Sequence, residues 1–289
     1  MVKNGRWTLP ALFESCEKFV DNAVILDTGS TDGTRRWLRE QSIIPTEVIE
    51  QPFVNFGKTR TIGMAHARGQ ADWLLLLDSD MVLRCDKPVE EIKASIDPTA
   101  KAYMLQMDQP VTYWNTRLVS GKELWEYKGV THEYLDRSAG SPKLEGLMVE
   151  HHFNHGPQKF ERDLRLLSAD VSRDPYDART IFYLAQTLRD MGHTLPAIWY
   201  YQLRAAMGGW EEEKFYSLYE AARLAGDPRA MEAAYKFRPS RAETADWLAN
   251  YYRTQGDNMC TGKWENIRAN IPLPPDILFL NTKSYGPRN

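Results

Sequence analysis

A chain of 289 residues, 43% hydrophobic and 26% charged, holds enough apolar residues for one large core or two ordinary ones, which excludes global disorder. A net charge of −3 offers no basic surface for nucleic acid or for an anionic membrane. No apolar run reaches the ~18 residues of a membrane span, no secretory leader opens the sequence, and the three scattered cysteines form neither a disulfide framework nor a zinc knot, so a soluble, cytoplasmic protein is expected.

Leu9, Leu12, Phe13, Cys16 and Phe19 recur at helical spacing, and Thr8 before Pro10 marks the helix start. Ala23–Leu26 reads as a buried strand. It runs into the polar turn Asp27-Thr28-Gly29-Ser30-Thr31-Asp32-Gly33-Thr34 and a helix from Thr34 to Gln41. Gly29 permits the tight turn, and Ser30 or Asp32 can cap the helix. Glu47–Glu50 is the next strand. Phe53–Arg60 then leads into a helix near Thr61–Arg68 that stops at Gly69.

The apolar run Trp73-Leu74-Leu75-Leu76-Leu77 follows and ends in Asp78-Ser79-Asp80. Five consecutive apolar residues fit a strand buried on both faces. Two carboxylates at i and i+2 would project the same way from the end of a central strand, where open α/β sheets bind ligands. Alternating strands and helices predict a doubly wound, mostly parallel sheet with Asp27, Asp78 and Asp80 along one rim. Ala102–Gln106 is a further strand, and Tyr127-Lys128-Gly129-Val130-Thr131-His132-Glu133 follows it. Leu147–His155 holds half of the six histidines, and imidazole readily joins carboxylates around a divalent ion.

The Val2-Lys3-Asn4 start, Asp27–Thr34, Phe56–Arg60 and Leu77-Asp78-Ser79-Asp80 together resemble family 2 glycosyltransferases of the GT-A fold. The resemblance implies a hexosyltransferase that uses a nucleotide-sugar, usually a UDP-sugar, and a divalent metal, Mn2+ or Mg2+. By the same resemblance Asp27 reads the uracil or ribose, Arg60 and Lys58 contact the base or diphosphate, and Asp78 with Ser79 sits at the ribose. Asp80 binds the metal, and a late histidine is its further ligand, with His151 preferred, His152 next and His155 outside that set. A Gly-Val-x-His-Glu segment lies on the acceptor side in such enzymes. That makes Glu133 the candidate base of an inverting displacement and His132 its neighbour. Only Met1-Val2 precede Lys3-Asn4, so the first strand is expected to be short or clipped.

After Gly156-Pro157 the composition shifts to helix formers. Tyr183-Leu184-Ala185…Gly192, Tyr219-Glu220-Ala221…Gly226 and Trp247-Leu248-Ala249…Gly256 repeat a phrase at close to the 34-residue period of tetratricopeptide helix pairs. The expected architecture is a catalytic domain over residues 1–157 and a tetratricopeptide-like helical domain over 158–289. Its Pro-rich tail docks on the helical body and leaves Gly286–Asn289 loose. The acceptor is open between a protein and a glycan. A sugar nucleotidyltransferase and a catalytically inactive repeat-based binding protein stand as alternatives.

Overall fold

The computed structural model describes residues 1–108, 113–152 and 158–286. His155 and residues 287–289 therefore lie outside the described residues. The chain divides into two compact units, Met1–Gly156 and Pro157–Asn289. The first is an α/β domain and the second is all α-helical.

In the first unit, α1 (Leu9–Cys16) buries Leu9, Leu12, Phe13 and Cys16, the stripe set by its sequence spacing. Strand β1 (Ala23–Asp27) pairs in parallel with β2 (Thr46–Glu50), and helix α2 (Thr34–Glu40) connects them. Phe13 and Trp37 meet edge to face at 5.3 Å and tie α1 to α2. Helix α3 (Phe56–Ala67) begins well before the expected Thr61, because the Asn55 side chain accepts the Lys58 N–H and caps it. Lys58 and Arg60 thus stand on the helix rather than ahead of it.

Strand β3 (Trp73–Leu75) is shorter than the apolar run and lies at an edge. With β4 (Met81–Cys85), β5 (Ala102–Asp108), β6 (Tyr113–Ser120) and β9 (Lys143–His151) it forms a sheet of order β3-β6-β5-β9-β4. Only β5 and β9 are parallel in that sheet. The pairing is therefore mixed, and β3 is not the central parallel strand expected from its composition. Its run is nonetheless apolar for a reason. Trp73, Leu75 and Leu77 pack on the larger core with Leu105, Leu118 and Val149, while Leu74 and Leu76 pack on a second cluster with Met64, Val119 and Trp125. Both faces are covered, as the continuous apolar pattern requires.

Val2 forms a single parallel bridge to Asp27. Its N–H donates to the Leu26 carbonyl (2.8 Å), and its own carbonyl accepts from Thr28 (2.9 Å). A cleft of about 680 Å³ lies between β1 and β3, lined by Leu26, Gly63, Met64, Leu75, Leu77 and Arg60 among others. Two short strands, β7 (Tyr127–Lys128) and β8 (Tyr134–Leu135), pair as a small hairpin, and α4 (Val89–Ala94) packs Ile92 into the core.

The second unit is a tetratricopeptide-like array of seven helices among the described residues: α5 (Gln158–Arg173), α6 (Ala178–Asp190), α7 (Thr194–Ala206), α8 (Glu211–Ala225), α9 (Pro228–Phe237), α10 (Ala242–Thr254) and α11 (Asn258–Ala269). Each helix packs on its neighbours in the chain. The repeated glycines Gly192, Gly226 and Gly256 all adopt positive φ (79°, 64° and 73°) just after α6, α8 and α10, the left-handed residue expected at those turns. Ala222, Ala245 and Ala249 let the helices approach closely around Met231, Leu248 and Trp264. No helix among the described residues is long and apolar enough to cross a membrane.

Candidate functional site

The site is built where α3 meets the loop after β7. The Phe56 N–H donates to the Val130 carbonyl (3.1 Å), and the Tyr127 N–H donates to Thr61 Oγ1 (2.9 Å). A Cβ added at Gly57 would stand 2.3 Å from the Gly129 carbonyl oxygen, so this close approach requires glycine at position 57. The contact sets the loop's Glu133 beside the second turn of α3, and Arg60 projects between the loop and the end of β3.

Arg60 is held by two carboxylates at once. Its Nε donates to Glu133 (2.5 Å) and its Nη2 to Asp78 (2.5 Å). Arg117, on β6, reaches the other Asp78 oxygen at 3.9 Å and donates to the Leu76 carbonyl at 3.3 Å. The Arg60 guanidinium lies 5.7 Å from the centre of the Tyr127 ring, within cation–π range. Burial opposes the charge on Asp78, yet Arg60 and then Arg117 hold its carboxyl well below the usual carboxylate range. Burial likewise opposes the charge on Arg60, and Asp78 with Glu133 more than reverses it, raising Arg60 above its ordinary value. Burial raises the Tyr127 phenol, which faces Arg60 as a neutral ring.

Asp27 ends β1 with one carboxylate oxygen accepting the Gly29 and Ser30 N–H groups (3.0 and 2.9 Å). Its other oxygen is buried without a hydrogen-bond partner. Val2 is bridged to Asp27, and the Met1 amine is lowered to about 6 by burial and then by the nearby Arg60 charge. Arg117 Nε and Thr131 Oγ1 are also buried without a partner. Buried polar atoms left unpaired are rare and mark places where a ligand can supply the missing bond.

Asp78 and Asp80 do not share one strand face. The chain turns here, with the Met81 N–H donating to the Asp78 carbonyl (3.1 Å), so two-residue alternation ends at Leu77. Asp80 belongs instead to the β4–β9 ladder. Met81 pairs with His151, and the His152 N–H donates to the Asp80 carbonyl (3.1 Å). Cross-strand partners share a face. His152 therefore lies on the face of Asp80, Val82 and Arg84, and its imidazole meets Glu150 at 3.2 Å. His151 lies on the face of Met81 and Leu83, both buried in the core. Asp80, His151 and His152 consequently do not gather as one ligand set, and no cluster of three or more His, Cys, Asp or Glu side chains able to hold a metal occurs among the described residues. No hydrogen bond or ion pair engages the Asp80 carboxylate among the described residues. Asp80 and His152 face the same side of the β4–β9 ladder.

The remaining residues named from sequence fall around this centre. Lys58 is exposed on the first turn of α3, and Ser79 is half-buried in the turn between the two aspartates. His132 sits in the loop before Glu133 with φ 47°, a left-handed backbone that a non-glycine residue adopts only when its surroundings impose it. Sequence reasoning assigned no role to Arg117 or Tyr127. The available signal was an arginine directly before the apolar Leu118-Val119 pair of β6.

One expected result follows directly from the charge balance. The folded Asp78 pKa lies below its unfolded value, so the unfolded chain binds more protons in the interval between them. The stability contributed by Asp78 is complete above that interval and lost as pH falls through it. Thermal melts between about pH 5 and pH 2 should show Asp78→Asn losing less stability than the parent on acidification. Parallel curves would show that this ion pair contributes nothing.

Residues 2–124 match the family model described as Glycosyl transferase family 2. Solved structures similar to this chain include one titled "Crystal structure of MamA", at 18% identity, covering 40% of this chain and 73% of that one with a TM-score of 0.33. A second, "Crystal structure of MamA protein", is also 18% identical and covers 38% of this chain and 62% of that one with a TM-score of 0.34. No curated protein matches.

Proposed function

We propose, from the premise that the N-terminal domain of this protein is a family 2 glycosyltransferase domain, that the enzyme moves a hexose from a UDP-sugar to an acceptor hydroxyl with inversion, assisted by Mn2+ or Mg2+. The match of residues 2–124 to the family model supports the coarser reaction class, sugar transfer from a nucleotide-sugar donor to an acceptor. The observation that carries the finer reading is the arrangement around Arg60. One buried guanidinium is shared by two carboxylates, and a third carboxylate, Asp80, two residues after Asp78, has no hydrogen bond or ion pair among the described residues.

In this reading the nucleoside meets the unpaired oxygen of Asp27 and the Asp78–Ser79 turn. The diphosphate competes with Asp78 and Glu133 for Arg60, with Lys58 as a second cation at the helix start. Asp80 and His152 would hold the divalent ion, which supplies charge neutralisation for the departing diphosphate. His151, on the opposite face, supports the ladder from the core side. Release of Glu133 from Arg60 when the donor binds leaves a carboxylate free to take the acceptor proton, with His132 beside it. A single displacement at the anomeric carbon then inverts it. The acceptor hydroxyl is carried by a protein or a glycan.

The test is a donor screen with and without manganese. UDP release that depends on the metal supports the assignment. Release of pyrophosphate in its place identifies a nucleotidyltransferase. Absence of UDP binding by calorimetry, with manganese present, leaves a repeat-based binding protein.

A further inference from the structure

Asp276–Asn281 is the part of the helical unit that behaves least like the rest of it. It belongs to no helix, yet buried side chains grip its main chain. Asp276 accepts two hydrogen bonds from Arg238 (both 2.7 Å) and one from Arg241 (3.2 Å). The Ile277 and Leu278 N–H groups both donate to one oxygen of Glu212 (2.9 and 2.7 Å). Arg241 donates to the Leu278 and Phe279 carbonyls (3.2 and 3.3 Å), and the Asn281 N–H donates to Glu243 (2.9 Å). Arg241 and Glu243 are 1% and 4% exposed and are paired to each other. The Phe279 ring stacks on Phe182 at 6.3 Å and lies 4.8 Å from Tyr216.

Apart from Arg238, which caps the end of α9, the gripping residues come from alternate helices. Phe182 is on α6, Glu212 and Tyr216 are on α8, and Arg241 and Glu243 open α10. The segment is read mainly through main-chain groups, the mode by which extended peptides are bound irrespective of most side chains. Two side chains anchor it, Asp276 and Phe279. Ile277 between them is left 80% exposed. Phe279 has φ 46°, unfavourable for a bulky residue. The groove imposes this conformation, so the chain's own segment is a strained occupant.

We infer that the side of the helical unit formed by α6, α8 and α10 is a peptide-binding groove filled by the chain's own Asp276–Asn281, and that its partner is an extended protein segment carrying a carboxylate three residues before an aromatic ring. The assignment is independent of the chemistry of the N-terminal domain. A strained internal occupant lowers apparent affinity for a partner by the fraction of chains whose groove is free.

The test uses the full chain and a fluorescent peptide of residues 274–283. Fluorescence anisotropy should show the peptide binding Phe279→Ala at least about tenfold more tightly than the parent, because the internal competitor has lost its ring. Replacing the aspartate or the phenylalanine of the peptide should abolish the gain. Equal affinity for parent and variant, or equal binding by a scrambled peptide, overturns the assignment. Should Phe279→Ala fail to fold, hydrogen exchange on the parent decides. Excess peptide should accelerate exchange of the Ile277, Leu278 and Asn281 amides, and unchanged rates at saturating peptide overturn the assignment.

Discussion

If the proposed function holds, Asp80→Ala is expected to lose manganese-dependent UDP binding and about 10³-fold or more in sugar transfer, while its melting temperature stays within about 2 °C of the parent. The two halves of this expectation have different origins. The Asp80 carbonyl, which alanine keeps, accepts the His152 N–H and holds the start of the β4–β9 ladder. The carboxylate, which alanine removes, has no partner among the described residues, so its loss leaves no buried group unpaired. A carboxylate without a partner among the described residues is open to a ligand. The histidines sharpen the test. His152→Ala should follow Asp80→Ala in metal affinity, because the two lie on one face. His151→Ala should act on stability, through the core beside Met81. Full transfer by the Asp80→Ala enzyme would refute the metal assignment.

Arg60→Met is expected to lose transfer as well, but also to destabilise the fold. Side chains of Arg60, Asp78 and Glu133 are only 14%, 23% and 13% exposed. Removing the shared cation leaves two partly buried carboxylates uncompensated, at a cost of about 3–5 kcal/mol. That corresponds to a fall of roughly 6–20 °C in melting temperature. The triple variant Arg60→Met, Asp78→Asn, Glu133→Gln removes the stranded charges and should recover most of the stability without recovering transfer. Differential scanning calorimetry and a UDP-release assay read the two effects separately. A triple variant no more stable than Arg60→Met would show that the arginine matters for packing rather than for charge.

Much of this was legible before any coordinates, and the gaps have physical causes. The α/β and all-α order follows from the change in hydrophobic period after residue 157. The repeat glycines follow from the need for left-handed residues at Gly192, Gly226 and Gly256. The Trp73–Leu77 run correctly announced a strand covered on both faces. It could not announce the partner, because apolar composition carries no information about strand direction or sheet order, and β3 pairs only with antiparallel β6. The start of α3 was missed because Asn55 looked like part of a loop, whereas its side chain caps the helix that carries Arg60. Arg117 was passed over because its significance lies in reaching Asp78 across the sheet, a distance that residue spacing does not encode. Glu133 was singled out as a candidate base, but its tie to Arg60 joins residues 73 positions apart.

The β4–β9 ladder also acts as a counting device. In an antiparallel pair each step along one strand exchanges the faces of the other, so the identity of the imidazole opposite Asp80 is set by residue number modulo two. Inserting one residue within β9, upstream of Glu150, would bring His151 to the place His152 now holds and carry His152 to the core side. Two adjacent histidines thus give the strand a tolerance that one would not. A slip of one residue in that direction changes which histidine faces the aspartate, yet an imidazole still stands there.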